Sequence, residues 1–220
     1  MKRVINTLLF LSLFTLCAKA QVMVDDFESN QFGWTETSQR GGIAIIQDGV
    51  MRLESKAGTH VLATCYAPFE YSKPFTMSVD VTVDKMPNWA SMQALGSGLF
   101  GNGARELYFN GVGLIFDYED DGNYLLFSFC KDFSVLYRII NGMVVASKKE
   151  DLKLPKGKNV AFTVEAEYNL NEILFKINGV RALSYRRRVA KDEFLLGTSG
   201  IGFITGTGHK VSFDNLKVDQ

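Results

Sequence analysis

Apolar and polar side chains alternate along most of this chain with a period of two, which is the signature of strands with one buried face. The clearest run is residues 75–83, where Phe75, Met77, Val79, Val81 and Val83 point one way and Thr76, Ser78, Asp80 and Thr82 the other. Residues 159–168 repeat it with Val160, Phe162, Val164, Ala166 and Tyr168, and residues 173–178 answer across a polar turn at 169–172. Asp48-Gly49, Asp121-Gly122, Asn141-Gly142 and Asn178-Gly179 each stand between two such runs. Asp-Gly and Asn-Gly are the pairs that a two-residue hairpin needing positive φ prefers. These pairs predict hairpins joining 42–47 to 50–55, 133–140 to 143–148, and 173–178 to 180–185. Further strands are expected at 22–27, 60–66, 200–205 and 210–218. No apolar stretch keeps a helical period for three turns. The pattern predicts an all-β fold, a two-sheet antiparallel β-sandwich of the jelly-roll type, with residues 22–27 beside 211–218.

The chain is organised around residues 111–131, two apolar runs flanking Glu119, Asp120, Asp121 and Gly122. Val112, Leu114, Phe116 and Tyr118 share one parity. Ile115, Phe127 and Phe129 are read as supplying the other. A hairpin apolar on both sides belongs in the middle of a sheet, its second face serving as a floor for a ligand or another layer. Residues 84–103 break the regularity with Pro87, Trp89 and four glycines and read as a long loop, a class that is usually functional or mobile.

Composition narrows the setting. Lys2 and Arg3 precede an apolar run at 4–16 and the small residues Ala18 and Ala20, the layout of a secretory signal at residues 1–20. Residues 21–220 then form one domain, periplasmic or extracellular, with no transmembrane segment, because the run is well short of the roughly 20 residues that cross a bilayer. Losing Lys2, Arg3 and Lys19 leaves 21 of the 24 basic residues against 24 acidic ones, a formal charge of −3 that argues against nucleic acid as partner. Cys65 and Cys130 remain, either bridged or buried as free thiols.

Most chemistry-bearing motifs are weak. Asp117, Glu119, Asp121 and Gly122 begin like a calcium loop, but position twelve is Ser128 where a bidentate glutamate is needed. Gly96-Ser-Gly98-Leu-Phe-Gly101 is not followed by a helical pattern, as a dinucleotide site requires. His60 and His209 stand in no metal-ligand spacing. What remains is a set of aromatic and planar polar groups in or beside the predicted loops: Trp34, Trp89, Tyr108, Tyr118 and Tyr124, with Arg105, Asn110 and Asp117 near them. Sugars stack their C–H faces on aromatic rings while carboxylates, amides and guanidinium groups bond their hydroxyls. Core packing competes for these rings, most strongly for Trp34 and Tyr124. Trp89, Arg105, Tyr108, Asp117 and Tyr118 are therefore the candidate ligand-binding set. Arg186, Arg187 and Arg188 form a charged connection that reads as a solvated loop.

Residues 111–129, 160–179 and 199–218 together resemble the concanavalin A-like lectin and glucanase superfamily, in the laminin-G-like form found in exported bacterial proteins. The resemblance covers about the second half of the mature chain. It implies a two-sheet jelly roll and contact with a polysaccharide or glycan on the concave sheet face. It also implies a structural Ca2+ where the terminal strands meet, which here offers Asp26 and Glu28, with Asp25, opposite Asp214. The superfamily's glucanases carry Glu-x-Asp-x-x-Glu on one strand, whereas this chain has Glu167, Asn169 and Glu172 with the turn falling on the asparagine. A non-catalytic carbohydrate-binding role is thus expected. The alternatives are a glycoside or keto-sugar hydrolase of the same fold and a structural or adhesion domain.

Overall fold

The structure, a computed structural model, describes residues 21–39, 41–56, 59–85, 111–130, 132–155, 159–186, 197–198, 200–206 and 208–220. The expected signal segment 1–20 and most of the expected loop 84–103 lie outside the described residues. Within them the chain forms fifteen strands and no helix: β1 (Gln21–Asp25), β2 (Thr37–Gln39), β3 (Gly42–Gln47), β4 (Val50–Ser55), β5 (Val61–Tyr66), β6 (Phe75–Lys85), β7 (Val112–Asp120), β8 (Asn123–Phe129), β9 (Phe133–Ile140), β10 (Met143–Asp151), β11 (Val160–Tyr168), β12 (Glu172–Ile177), β13 (Val180–Arg186), β14 (Gly200–Thr205) and β15 (Lys210–Asp219).

They make two antiparallel sheets stacked as a jelly-roll sandwich. One has six strands in the order β10-β9-β8-β7-β14-β5, so the β7–β8 hairpin sits in its middle, as its two-sided apolar pattern requires. The other has nine, β13-β12-β11-β6-β15-β4-β3-β2 with β1 also on β15. β15 serves two partners on one edge: residues 210–213 pair with β4 and residues 216–219 with β1, the change falling at Asn215, whose φ is 52°. First and last strands therefore meet as expected. Turn chemistry works at three of the four glycine pairs, where Asp48, Asn141 and Asn178 and the glycines after them all have positive φ. The core between the sheets is aromatic: Phe127 of β8 stacks on Phe175 of β12 with centroids 4.0 Å apart, and Phe203 of β14 lies between Phe213 of β15 and Trp34, at 4.2 and 4.9 Å.

Two sequence expectations are corrected, and one left open is resolved. Phe127 and Phe129 face the same side as Leu114 and Val112, not that of Ile115, because antiparallel partners share a face and the pairs are Leu114 with Phe127 and Val112 with Phe129. Tyr118 leaves the face of Phe116: the register slips between Phe116 and Asp120, and the positive φ of this hairpin falls at Asp117 (51°). Cys65 and Cys130 are both free and buried. Burial raises both thiols' pKa values, which leaves them protonated and unreactive.

Candidate functional site

The slip in β7 shapes the site. Upstream of it Val112, Leu114 and Phe116 join the main core, while Ile115 joins a second apolar cluster on the opposite face with Tyr124, Leu126, Ile139 and Ile204. Ile115, Leu126 and Ile204 are wholly buried there, so the middle of that outer face is closed to a ligand. Its margin is not. The slip turns Tyr118 from the sandwich interior onto this outer face, where it packs half-buried against the second cluster with its ring centroid 6.4 Å from that of Tyr124.

Beside Tyr118 a cleft of about 510 Å³ runs between the β7–β8 tip, the segment entering β5, and the β2–β3 edge. Thr35 ties the two sheets' edges together here: its N–H donates to Thr64 O at 2.8 Å and its Oγ1 accepts from Thr64 N at 2.9 Å. Gly42 allows the close approach, since a Cβ there would lie 2.5 Å from Val61 Cγ2 of β5. Glu36, Gln39, His60, Tyr118 and Asp121 present the polar groups, and Val61 and Leu62 the apolar ones. The Tyr118 hydroxyl donates to Asp121 Oδ1 at 2.8 Å, while Asp120 holds the tip by accepting from Gly122 N and Asn123 Nδ2. Burial first, then that bond to Asp121, pushes the phenol pKa up to about 12. Glu36 Oε1 accepts from Ile46 N at 2.7 Å, which fixes its carboxylate at the edge. Desolvation lowers the pKa of His60 and outweighs the pull of Asp121, so the imidazole is neutral at pH 7, able both to donate and to accept. A phenol ring beside carboxylates, an amide, an imidazole and hydroxyls is the donor and acceptor set that a polyhydroxylated ligand needs.

Of the five expected ligand residues, Tyr118 alone is described at this cleft. Trp89, Arg105 and Tyr108 lie outside the described residues, as do Arg187 and Arg188. Asp117 is buried, and both its oxygens are engaged: Oδ1 accepts from Gly197 N (2.6 Å) and Thr198 N (2.7 Å), Oδ2 from Arg138 Nη1 (2.5 Å). Trp34 and Tyr124 are core residues, Trp34 Nε1 donating to the buried Asp25 at 2.7 Å.

The acids offered for calcium are not gathered. Asp26 accepts from Glu28 N, Asp25 from Phe27 N and Trp34, and Asp214 from Asn215 N, and among the described residues no three His, Cys, Asp or Glu side chains form a metal-holding group. Glu167 on β11 pairs with Lys176 and Glu172 with Arg186, on either side of a turn built by Asn169 Oδ1, so they form no carboxylate pair on one strand. Glu36 and Gln39 had no sequence signal, since residues 35–39 fall between the expected strands at 22–27 and 42–47. His60 stood out only as a histidine without a metal spacing.

No protein-family model matches the chain, and no curated protein does. Solved structures do. Over 88% of its length the chain is similar to 99% of the carbohydrate-binding module CBM66 from Bacillus subtilis, with 17% identity and a TM-score of 0.55. Over 91% it is similar to 96% of a Bacillus subtilis protein of unknown function with a galectin-like fold (14%, 0.59). It also matches, over 91% of its length and 99% of the other, a chain described with endo-acting O-glycanases of the human gut microbiota that initiate mucin breakdown (10%, 0.59). At these identities the likeness is one of fold, the galectin-like jelly-roll sandwich.

Proposed function

We propose that the mature chain is an exported carbohydrate-binding sandwich of the concanavalin A-like superfamily, non-catalytic, which contacts a glycan at the margin of the six-stranded sheet's outer, concave face. The cleft carries the reading: the Tyr118 ring stands at its wall with the Asp121, Glu36, Gln39 and His60 groups facing the same space. A similar fold in a carbohydrate-binding module supports it, and the formal charge of −3 on the mature chain argues against nucleic acid as the rival partner. Trp89, Arg105 and Tyr108 enter the proposal on their sequence alone, and calcium enters it as an additive to be titrated.

Affinity gels of the protein without residues 1–20, run with soluble laminarin, arabinoxylan, levan and gastric mucin, test the proposal. At least one should retard the protein, and Tyr118→Ala should weaken that retardation about tenfold, the usual size for a central aromatic contact. Retardation by none, or retardation indifferent to Tyr118→Ala and Trp89→Ala, would remove the proposal.

A further inference from the structure

Asp117 is buried and paired with the partly buried Arg138, at the place where the register of β7 slips against β8. Asp117 has left-handed backbone in a non-glycine residue, a conformation that persists only where its surroundings enforce it. Four groups do so. The Tyr71 hydroxyl accepts from Asp117 N at 3.1 Å, Gly197 N and Thr198 N hold one carboxylate oxygen, and Arg138 of β9 holds the other. Thr198 adds a second clamp one residue on, its Oγ1 donating to Tyr118 O at 2.8 Å. Gly200 closes the space: a Cβ there would lie 2.1 Å from Tyr118 O and 2.8 Å from Tyr118 Cβ. Without the slip at Asp117, residue 118 would keep the parity of Phe116 and point into the core.

From this we infer that Asp117 and Arg138 are positioning residues, which set the cleft's affinity by holding the slip that presents Tyr118, without touching ligand themselves. The inference rests on the proposed glycan site for its functional meaning, but its structural half stands apart from it. Burying the Asp117 carboxylate costs stability that an apolar side chain would not, so a charge placed at a strand irregularity suits a device for geometry more than for stability.

The test uses Asp117→Asn, together with Asp117→Asn/Arg138→Gln, in which both charges go and hydrogen-bonding capacity stays, so that one folded variant is available should the single one unfold. In folded protein the phenol of Tyr118, assigned by its loss in Tyr118→Phe, should titrate nearer the ordinary 10 than about 12, because the ring loses its burial against the second cluster first and its place beside Asp121 with it. Binding to whichever polysaccharide retards the wild type should fall about tenfold. In a Tyr118→Ala background the same substitutions should change binding no further. An unchanged Tyr118 titration in a folded variant, or an equal loss of binding with and without Tyr118, would overturn the inference. Absence of binding by the wild type would instead remove the proposed function and leave the titration to decide the positioning role.

Discussion

The two sheets differ in how many of their faces are dry. In the nine-stranded sheet β6 alternates strictly, its inward valines buried and its outward side half-exposed, and Asp80 on that outward side is held by Thr163 Oγ1 and Asn215 Nδ2. In the six-stranded sheet all six residues of β14 and the first six of β7 are buried, inner and outer positions alike. A one-sided sheet is a wall of the sandwich. A two-sided one packs its outer side chains into a second apolar cluster, and the cleft lies at that cluster's margin, beside Tyr118.

Side-by-side substitutions in the two sheets test that contrast most sharply. Leu125 faces the main core and Leu126 the second cluster, each with no exposure. Replacing either by alanine should cost about 2–5 kcal/mol in urea unfolding. Ser78→Ala on the nine-stranded sheet's outer side should stay within about 0.5 kcal/mol. If Leu126→Ala behaved like Ser78→Ala, the outer face would not be a packed layer.

A smaller effect separates space from backbone. Gly200→Ala meets the Tyr118 carbonyl and should cost about 1–3 kcal/mol through displacement of β7. Gly142→Ala meets nothing within 4 Å and should cost about 1 kcal/mol through its φ of 74° alone. Equal costs would mean that β14 does not press on Tyr118. Next, Cys65 and Cys130 should resist iodoacetamide in the native state and label fully in urea. Rapid native labelling of either would contradict their burial.

The smallest effect concerns His60. Its folded pKa lies below the ordinary 6.5, so the unfolded chain binds more protons in the window just under that value, and stability should rise with pH through the window and level off above it. His60→Gln should flatten that rise, as read from melting temperatures between pH 5 and 7.5.

Legibility in the sequence followed the same divide between sheets. Where one face is wet, alternation names the inward residues, and the strands at 75–83 and 160–168 fold with the faces expected. Hairpins at Asp48-Gly49, Asn141-Gly142 and Asn178-Gly179 were equally readable, because their turns need backbone that few residue pairs favour. In β7 and β8 both faces are apolar, parity carries no information, and Phe127 and Phe129 were placed on the wrong side. The slip at Asp117 was invisible for a different reason. Its cause is nonlocal, lying in Tyr71, Arg138, Gly197 and Thr198, none of which is near it in sequence. Tyr118 was legible as a candidate from its place beside the acidic turn, though not in the face it takes, whereas Glu36 and Gln39 became part of the site only when the β2–β3 edge folded against β5.

The central claim is that a glycan enters the cleft beside Tyr118. It is tested most directly by recording amide and ring NMR shifts while titrating the polysaccharide that retards the protein. The account predicts saturable shifts concentrated at Gln39, His60, Tyr118 and Asp121, with β10 and the outer side of the nine-stranded sheet silent. Shifts centred on either of those silent regions, with Tyr118 unmoved, would contradict it.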